Sequence, residues 1–341
     1  MTLFIGPVGD NGGPAIKNRL LIKYLDRKSN FKICNTHNRT LSNFLKCIFT
    51  LIFSNDKQII VAVSKNGRSF LYPILNIKKK LNRNLHYSTI CIGGTIVQDT
   101  LENPKRIGNA LSYADTVTVE TRKLKRELEE KFNLSNVHYM PNYKEIKDNI
   151  NNIQHFHEEE LRFVFLSSVR NVKGVGTMID VFKNIIQIYP KATLDIYGPI
   201  RKDFDMNILD GIKHISQINY KGVVPNNEVV ETLSRYNIFL FPTEYPGEGF
   251  PAVLVEAYLA GLIVIASDMN FNSEIVKHEV NGWIFPTGNK DVFKKTILKC
   301  FNNVEVLDCI SKTNKERTKE FDVECVIKDY RDKLRKMEWN I

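Results

Sequence analysis

Polar and apolar positions follow two successive series along the chain, in which short apolar runs alternate with longer amphipathic segments. In the first series, Ala15–Leu25 carries Ile16, Leu20 and Leu21 on one side, which predicts a helix. A second helix is predicted over Arg122–Phe132. Short apolar runs predict the strands Thr2–Ile5, Phe31–Cys34, Gln58–Ala62, His86–Ile92 and Thr116–Val119, and the apolar run Val137–Met140 precedes Pro141-Asn142.

The second series begins after a polar stretch, Asp148–Glu160, which is typical of a linker between domains. It predicts the strands Phe163–Leu166, Thr193–Tyr197, Ile218–Lys221, Ile238–Phe241 and Ile263–Ala266. Helices are predicted over Gly176–Ile188, Glu228–Arg235, Ala252–Leu259 and most of the last 50 residues. Two β/α series predict an α/β protein with two mostly parallel sheets covered by helices on both faces. Ligands of such sheets bind at the carboxyl ends of the strands, so we expect a site in a cleft between the domains.

The composition is that of a globular protein: 341 residues, 43% hydrophobic and 25% charged. This length suggests about two domains, and the composition excludes a disordered chain, a collagen-like fibre and a disulfide scaffold. The longest apolar run, Phe44–Phe53, contains Lys46 and is shorter than the roughly 20 residues of a membrane-spanning helix. The start of the sequence does not resemble a secretory signal. With six scattered cysteines and no CxxC, we expect reduced thiols and a cytoplasmic protein.

The net charge of +10 is unevenly distributed. Residues 1–150 carry +12 and the remainder carries −2. A basic half suggests an anionic partner, and a solvated basic surface without a partner is the alternative. Asn43–Phe53 and Phe70–Arg83 combine apolar bulk with cations, which would suit the acidic inner face of the cytoplasmic membrane. The alternative for Phe44–Phe53 is a core helix.

Two segments carry candidate chemistry. In the glycine-rich loop after the first strand, the amides of Gly12 and Gly13 could approach an anion, although half of such loops only turn the chain. The second segment contains Glu248 in a loop expected to be exposed, followed by the start of a helix and by Glu256. The free amides of a first helical turn can bind phosphate, and here they belong to Ala252, Val253 and Leu254. The alternative is a pair of exposed glutamates flanking a core helix.

The second segment carries a family resemblance. Glu248-Gly-Phe-Pro, Glu256-Ala, Gly261, Val264–Asp268, Ser273-Glu274 and Asn281–Pro286 resemble the retaining, nucleotide-sugar-dependent glycosyltransferases of family 4, within glycosyl transferases group 1. The resemblance is dense over residues 161–302. It is thin over residues 1–150, where Gly12-Gly13 and Pro141-Asn142 match. It implies the GT-B fold, in which two Rossmann-like domains have parallel sheets facing across a cleft.

The resemblance implies an acceptor-binding domain over residues 1–150 and a nucleotide-sugar-binding domain over 151–320. Residues 321–341 would form a helix that returns to the first domain. Arg170 and Lys173, shortly before Gly174, would bind the donor diphosphate and stabilise the charge that grows on the leaving group. Many relatives space this pair by five residues, which would place Ser168 at the arginine position. Two surface cations in a loop are the alternative.

The remaining site residues follow from the same resemblance. Gly12 and Gly13 would also contact the diphosphate, Glu248 the transferred sugar and Glu256 the ribose. Gly198 and Val223 would border the base. Gly249, Phe250 and the helix start at Ala252, Val253 and Leu254 would complete the donor site. Relatives often carry a His-Gly pair near the sugar, where this sequence has Gly93-Gly94, and His86 lies too early to replace it.

The implied function is transfer, with retention of configuration, of a sugar from a nucleoside-diphosphate sugar, expected to be a UDP-sugar. The acceptor would be a saccharide or lipid-linked saccharide in cell-surface polysaccharide synthesis. We expect no metal, no other cofactor and no nucleic-acid partner, because nucleic-acid-binding motifs are not recognised. A sugar-nucleotide epimerase on the same fold and a catalytically silent sugar-nucleotide-binding subunit remain alternatives.

Overall fold

The computed structural model describes residues 1–25, 31–38, 40–146, 156, 160–302 and 304–341. Two compact units account for them. Unit 1 comprises Met1–Glu145, Gly247–Phe250 and Phe321–Ile341, and unit 2 comprises Ile146–Pro246 and Pro251–Glu320. The predicted linker Asp148–Glu160 lies outside the described residues, apart from Phe156 and Glu160.

The described part of unit 1 contains a six-stranded parallel sheet in the order β2-β1-β3-β4-β5-β6. Its central strands are buried along their length, because helices cover both faces of such a sheet. The strands are β1 Thr2–Gly6, β2 Phe31–Asn35, β3 Gln58–Val63, β4 His86–Cys91, β5 Thr116–Val119 and β6 Val137–Tyr139. The helices are α1 Gly13–Leu25, α2 Leu41–Phe53, α3 Lys65–Leu81, α4 Ile96–Glu102, α5 Asn109–Ser112 and α6 Arg122–Phe132, with a π-turn at Pro104–Gly108.

The described part of unit 2 repeats this plan with the strand order β12-β11-β10-β7-β8-β9, also parallel. Its strands are β7 Arg162–Leu166, β8 Thr193–Tyr197, β9 Ile218–Gly222, β10 Ile238–Phe241, β11 Ile263–Ser267 and β12 Gly282–Phe285. Its helices are α7 Val175–Ile188, α8 Asn207–Asp210, α9 Val229–Leu233, α10 Ala252–Leu259, α11 Asn272–Ile275, α12 Lys290–Phe301 and α13 Val304–Arg317.

The last helix, α14 (Val323–Lys336), packs in unit 1. Its residues Ile327, Tyr330 and Leu334 are buried in the same apolar cluster as α1 and the central strands. The Tyr330 hydroxyl lies 2.6 Å from the Ser88 hydroxyl on β4. Residues that are distant in the sequence therefore complete the core of unit 1.

The two predicted β/α series are confirmed, with three corrections. β12 was not predicted from its four residues. The predicted helix Glu228–Arg235 is shorter, because a 3₁₀ turn at Asn226–Glu228 precedes α9. The core-helix interpretation of Phe44–Phe53 is wrong, since α2 buries only Cys47 and Leu51.

Candidate functional site

The carboxyl ends of the parallel strands in unit 2 bring several predicted residues to one edge of its sheet. Arg170 and Lys173 follow β7, Gly198 follows β8, and Val223 follows β9. β10 lies beside β7 and is followed by the loop that leads to α10. Because strand ends in a parallel sheet share an edge, this is where an α/β unit binds ligands.

Two loops at this edge are tied together. The amide of Glu244 donates to the carbonyl of Val172 over 2.8 Å. Gly174 has φ +72°, and a Cβ at this position would come within 2.0 Å of the carbonyl oxygen of Pro242. Only glycine fits so close an approach in this backbone conformation. The position of Lys173 is therefore fixed by the backbone of the neighbouring loop.

The two predicted cations converge on one aromatic ring. The Lys173 ammonium lies 5.0 Å from the centre of the Tyr245 ring, and the Arg170 guanidinium carbon lies 5.8 Å from it. Lys173 is buried, whereas Arg170 is partly exposed and its Nε donates to Asp203 Oδ2 over 2.9 Å. Two cationic side chains thus lie beside one ring at the carboxyl end of β7, and charged donors of this kind form strong hydrogen bonds with phosphate oxygens.

Tyr245 was not recognised from the sequence. It belongs to the loop after β10, more than 70 residues from Arg170 and Lys173, and only the adjacency of β10 and β7 brings it to them. The run Pro242-Thr-Glu-Tyr245-Pro, an aromatic between prolines in a loop, was the available signal.

Helix α10 begins at Ala252, directly after Pro251. The first amides of a helix lack acceptors within the helix, and here Leu254 donates to the carbonyl of Pro251 over 3.1 Å. Glu256 is 6% exposed, so the interpretation of two exposed glutamates flanking a core helix is wrong for this residue. A carboxylate in a buried position needs polar or cationic partners.

Gly198 and Val223 lie at the ends of neighbouring strands. Gly198 has φ +132°, its amide donates to the Gly222 carbonyl over 2.8 Å, and its own carbonyl accepts from the Tyr220 hydroxyl at 2.9 Å. Val223 is 64% exposed. Both residues therefore line the same strand-end edge as Arg170 and Lys173, with an apolar side chain open to solvent.

The remaining predicted residues belong to unit 1. Gly12 has φ +86°, and neither it nor Gly13 has a neighbour that an added Cβ would meet within 4 Å. This loop follows β1 and begins α1, with the Ala15 amide donating to the Gly12 carbonyl at 3.0 Å. The open space at both glycines allows a ligand to approach the backbone closely.

The segment Gly247–Phe250 also packs in unit 1. The Asn142 side chain donates to the Phe250 carbonyl over 3.1 Å, and the Phe250 ring meets Phe321 edge-to-face at 5.5 Å. Glu248, predicted in an exposed loop, is instead half-buried. The tight packing of its neighbour Gly249 leaves no room for a side chain, since a Cβ there would lie 2.5 Å from Glu120 Oε2.

A buried ion pair lies next to Gly249 of the segment Gly247–Phe250. Lys17 Nζ of α1 lies 2.7 Å from Glu120 Oε1 at the end of β5, and both side chains are almost inaccessible. The other oxygen of Glu120 accepts from the Gly93 amide at 3.0 Å. This pair was not predicted from the sequence, because its members are 103 residues apart and no local pattern joins them.

His86 takes no part in this arrangement. It begins β4, at the end of the strand opposite Gly93, and its Nδ1 lies 2.9 Å from Asp115 Oδ2. This agrees with the expectation that His86 lies too early to act as the relatives' histidine. No group of three or more His, Cys, Asp or Glu side chains within the described ranges could hold a metal ion.

The comparison with protein families decides the assignment. The model of the family described as glycosyl transferases group 1 matches residues 146–317, just over half of the chain. The chain belongs to glycosyl transferases group 1. In this group 1 protein, the matched range begins at the start of unit 2 and contains Arg170, Lys173 and Glu256. Its narrower placement in family 4 stays a prediction.

Individual relatives are similar to this group 1 protein over part of its length. The amylovoran biosynthesis glycosyltransferase AmsK of Erwinia amylovora is 28% identical over 41% of this chain and 36% of its own length. The capsular polysaccharide biosynthesis glycosyltransferase CapH of Staphylococcus aureus is 29% identical over 37% of this chain and 35% of its own. These matches therefore span little more than a third of each relative.

The fold agrees with the family. The structure of HepE from Anabaena in complex with UDP and glucose covers 98% of this chain and 99% of its own, with a TM-score of 0.75 and 15% identity. The predicted GT-B fold class, with two Rossmann-like units, is confirmed.

Proposed function

We propose that the chain is a retaining glycosyltransferase of family 4 that transfers a sugar from a nucleoside-diphosphate sugar, with UDP as the nucleotide. The observation that carries the proposal is the pair of cations, Arg170 and Lys173, held against Tyr245 at the strand-end edge of unit 2 in a group 1 protein. The HepE complex with UDP and glucose, on the same fold, supports the choice of nucleotide.

In the proposed reaction, the bond between the anomeric carbon and the diphosphate oxygen breaks, and the diphosphate leaves with additional negative charge. Arg170 and Lys173 stabilise that charge, and the first amides of α10 contribute their dipoles. Glu256 binds the ribose, Gly198 and Val223 border the base, and Glu248 contacts the sugar. The acceptor hydroxyl oxygen forms the new bond at the anomeric carbon, whose configuration is retained, and the hydroxyl proton passes to the departing diphosphate oxygen. The reaction uses no metal or further cofactor.

The proposed acceptor is a saccharide or lipid-linked saccharide of a cell-surface polysaccharide, and the protein would act in the cytoplasm. The named roles of AmsK in amylovoran biosynthesis and of CapH in capsular polysaccharide biosynthesis support this substrate class. Unit 1 would bind the acceptor and unit 2, which holds Arg170 and Lys173, would bind the donor.

The test of the donor site measures UDP binding by calorimetry to the full chain and to Lys173→Met. Loss of one charge-assisted hydrogen bond removes roughly 1.5–3 kcal/mol, so the affinity should fall about tenfold to a hundredfold. Lys183→Met, on α7 in the same unit, is the matched control and should bind normally. Equal affinity of the Lys173 variant and the control would refute the donor site.

A second measurement tests turnover with a panel of UDP-sugars and saccharide acceptors. Sugar transfer should require the acceptor, and the product's anomeric configuration, read by NMR, should match the donor's. Glu248→Gln should abolish transfer, whereas Glu305→Gln on α13 should not. Conversion of the donor sugar to an isomer without any acceptor would instead establish an epimerase. UDP binding without turnover of any donor would establish a silent binding subunit.

A further inference from the structure

Helix α2 exposes the apolar side that a helix of a globular protein normally buries. Five large apolar side chains of α2 are exposed, whereas the helix buries only Cys47 and Leu51. At 100° per residue, the five fall within about 120° of arc, and the two buried residues lie on the opposite side. The exposed side chains are Leu41, Leu45, Phe49, Ile52 and Phe53.

Helix α3 extends this apolar surface. Its Phe70 meets Phe44 of α2 edge-to-face, with ring centres 5.1 Å apart, and Lys78 Nζ donates to the Ile52 carbonyl over 3.1 Å. Phe70, Ile77 and Leu81 of α3 are exposed. We call these three residues and the five exposed apolar residues of α2 the α2–α3 face. It holds eight of the seventeen exposed large apolar side chains in the described part of the chain.

The charge around the α2–α3 face has one sign. Residues 41–83 contain eight Lys and Arg and a single acid, Asp56. The last turn of α3 carries Lys78, Lys79 and Lys80, and neither α2 nor α3 contains Asp or Glu. Two of these cations have acidic partners outside residues 41–83: Arg68 is buried with Asp99, and Lys65 pairs with Asp99 and Glu102. A large apolar surface rimmed by cations therefore lies on unit 1.

We propose that the α2–α3 face docks on an anionic lipid bilayer. Apolar side chains enter the boundary between headgroups and acyl chains, while Lys80 and Arg83 remain at the level of the anionic headgroups. Charge complementarity favours this occupant, because a second copy would bring like charges together around the same face. The proposed attachment is peripheral. Within the described ranges no helix is long and apolar enough to span a membrane.

The proposal goes beyond the reaction proposed above and does not require it. Each cation near an anionic surface strengthens binding about fivefold at low salt, and each inserted apolar side chain adds to this. We therefore expect the full chain to bind vesicles of 30% phosphatidylglycerol in phosphatidylcholine, measured by flotation, at least tenfold more strongly than pure phosphatidylcholine vesicles. Binding should weaken as salt is raised.

Two pairs of variants separate the apolar and charge contributions. Phe49→Ser/Phe53→Ser should reduce the partition coefficient at least tenfold, whereas Ile188→Ser/Val306→Ser, exposed apolar residues of unit 2, should not. Lys80→Glu/Arg83→Glu should also reduce it at least tenfold, and Lys295→Glu/Lys312→Glu is the matched control. All eight replaced side chains are exposed or partly exposed, so circular dichroism should show folded variants.

Three outcomes would overturn the proposal. The first is the absence of binding to anionic vesicles at 20 mM salt. The second is equal loss of binding in the test variants and their controls. The third is a dimer, seen by analytical ultracentrifugation, that Phe49→Ser/Phe53→Ser dissociates while vesicle binding is unchanged, since the face would then join two copies. Activity is not a readout here, so failure of the reaction proposed above would leave this test intact.

Discussion

Replacing Lys17 with methionine should destabilise unit 1 strongly. Lys17 and Glu120 are about 3% and 5% exposed, and their charged atoms are 2.7 Å apart. Without Lys17, the Glu120 carboxylate keeps the Gly93 amide at 3.0 Å but loses the buried cation opposite it. Leaving one member of such a pair buried and uncompensated costs about 3–5 kcal/mol of unfolding free energy. At a slope of about 2 kcal/mol per molar urea, the midpoint falls by roughly 2 M.

The two tryptophans allow each unit to be followed separately. Trp339 is buried in unit 1, where its indole nitrogen donates to Asp115 Oδ2 at 2.8 Å, and Trp283 is buried in β12 of unit 2. Urea unfolding followed by fluorescence in a Trp283→Phe background reports unit 1, and a Trp339→Phe background reports unit 2. The loss of unfolding free energy caused by Lys17→Met should appear in the transition that Trp339 reports.

A surface pair provides the control. Lys131 and Glu127 lie 3.2 Å apart on α6, where solvent screens them, so Lys131→Met should change the unfolding free energy by less than about 1 kcal/mol. Adding Glu120→Gln to Lys17→Met should restore part of the loss, because the buried charge is removed. A Lys17→Met midpoint within about 0.3 M of the parent would refute the reasoning, as would a double variant less stable than the single one.

Two further predictions concern titratable groups. At pH 7.5 a thiol reagent should label the exposed Cys309 and Cys325 rapidly, and the other four cysteines should react only in denaturant, because they are buried and burial raises the pKa of the Cys34 thiol to about 12. More than two fast-reacting thiols in the native protein would contradict this. Burial, with Lys333 and Lys125 nearby, lowers the pKa of His138 from its ordinary value of 6.5, so the unfolded chain takes up the proton first. The unfolding free energy of unit 1 should therefore fall as the pH drops below about 6.5, and urea titrations at pH 7.5 and 5.5 should show a smaller fall in His138→Gln; identical falls in both proteins would exclude this contribution.

The sequence predicted best those helices and strands whose pattern of apolar residues lies within one short segment. Thr193–Tyr197, Ile238–Phe241 and Ala252–Leu259 were predicted with the bounds that the structure gives them. Strand, loop and helix also follow one another around Arg170 and Lys173, which was sufficient to place both at a strand end. Their roles in donor binding remain predictions.

The sequence was least informative where sheet order joins distant segments. Tyr245 meets Lys173 because β10 lies next to β7, which no spacing in the sequence indicates. In the sequence, Lys17 is one of many cations in a basic half. In the structure it forms an ion pair with Glu120 at the end of β5. Whether Phe49 and Phe53 are buried or exposed could not be predicted for a related reason. An apolar helix pattern does not indicate which neighbouring elements cover the helix.

The return of the last helix to unit 1 has a consequence for synthesis on the ribosome. Unit 1 begins the chain, but α14 follows it only after residues 146–320 have been made. At 5–20 residues per second, that interval lasts roughly 10–35 s. Throughout it, the apolar side chains of α1 and the central strands that share a cluster with Ile327 and Leu334 lack the cover that α14 provides in the folded unit.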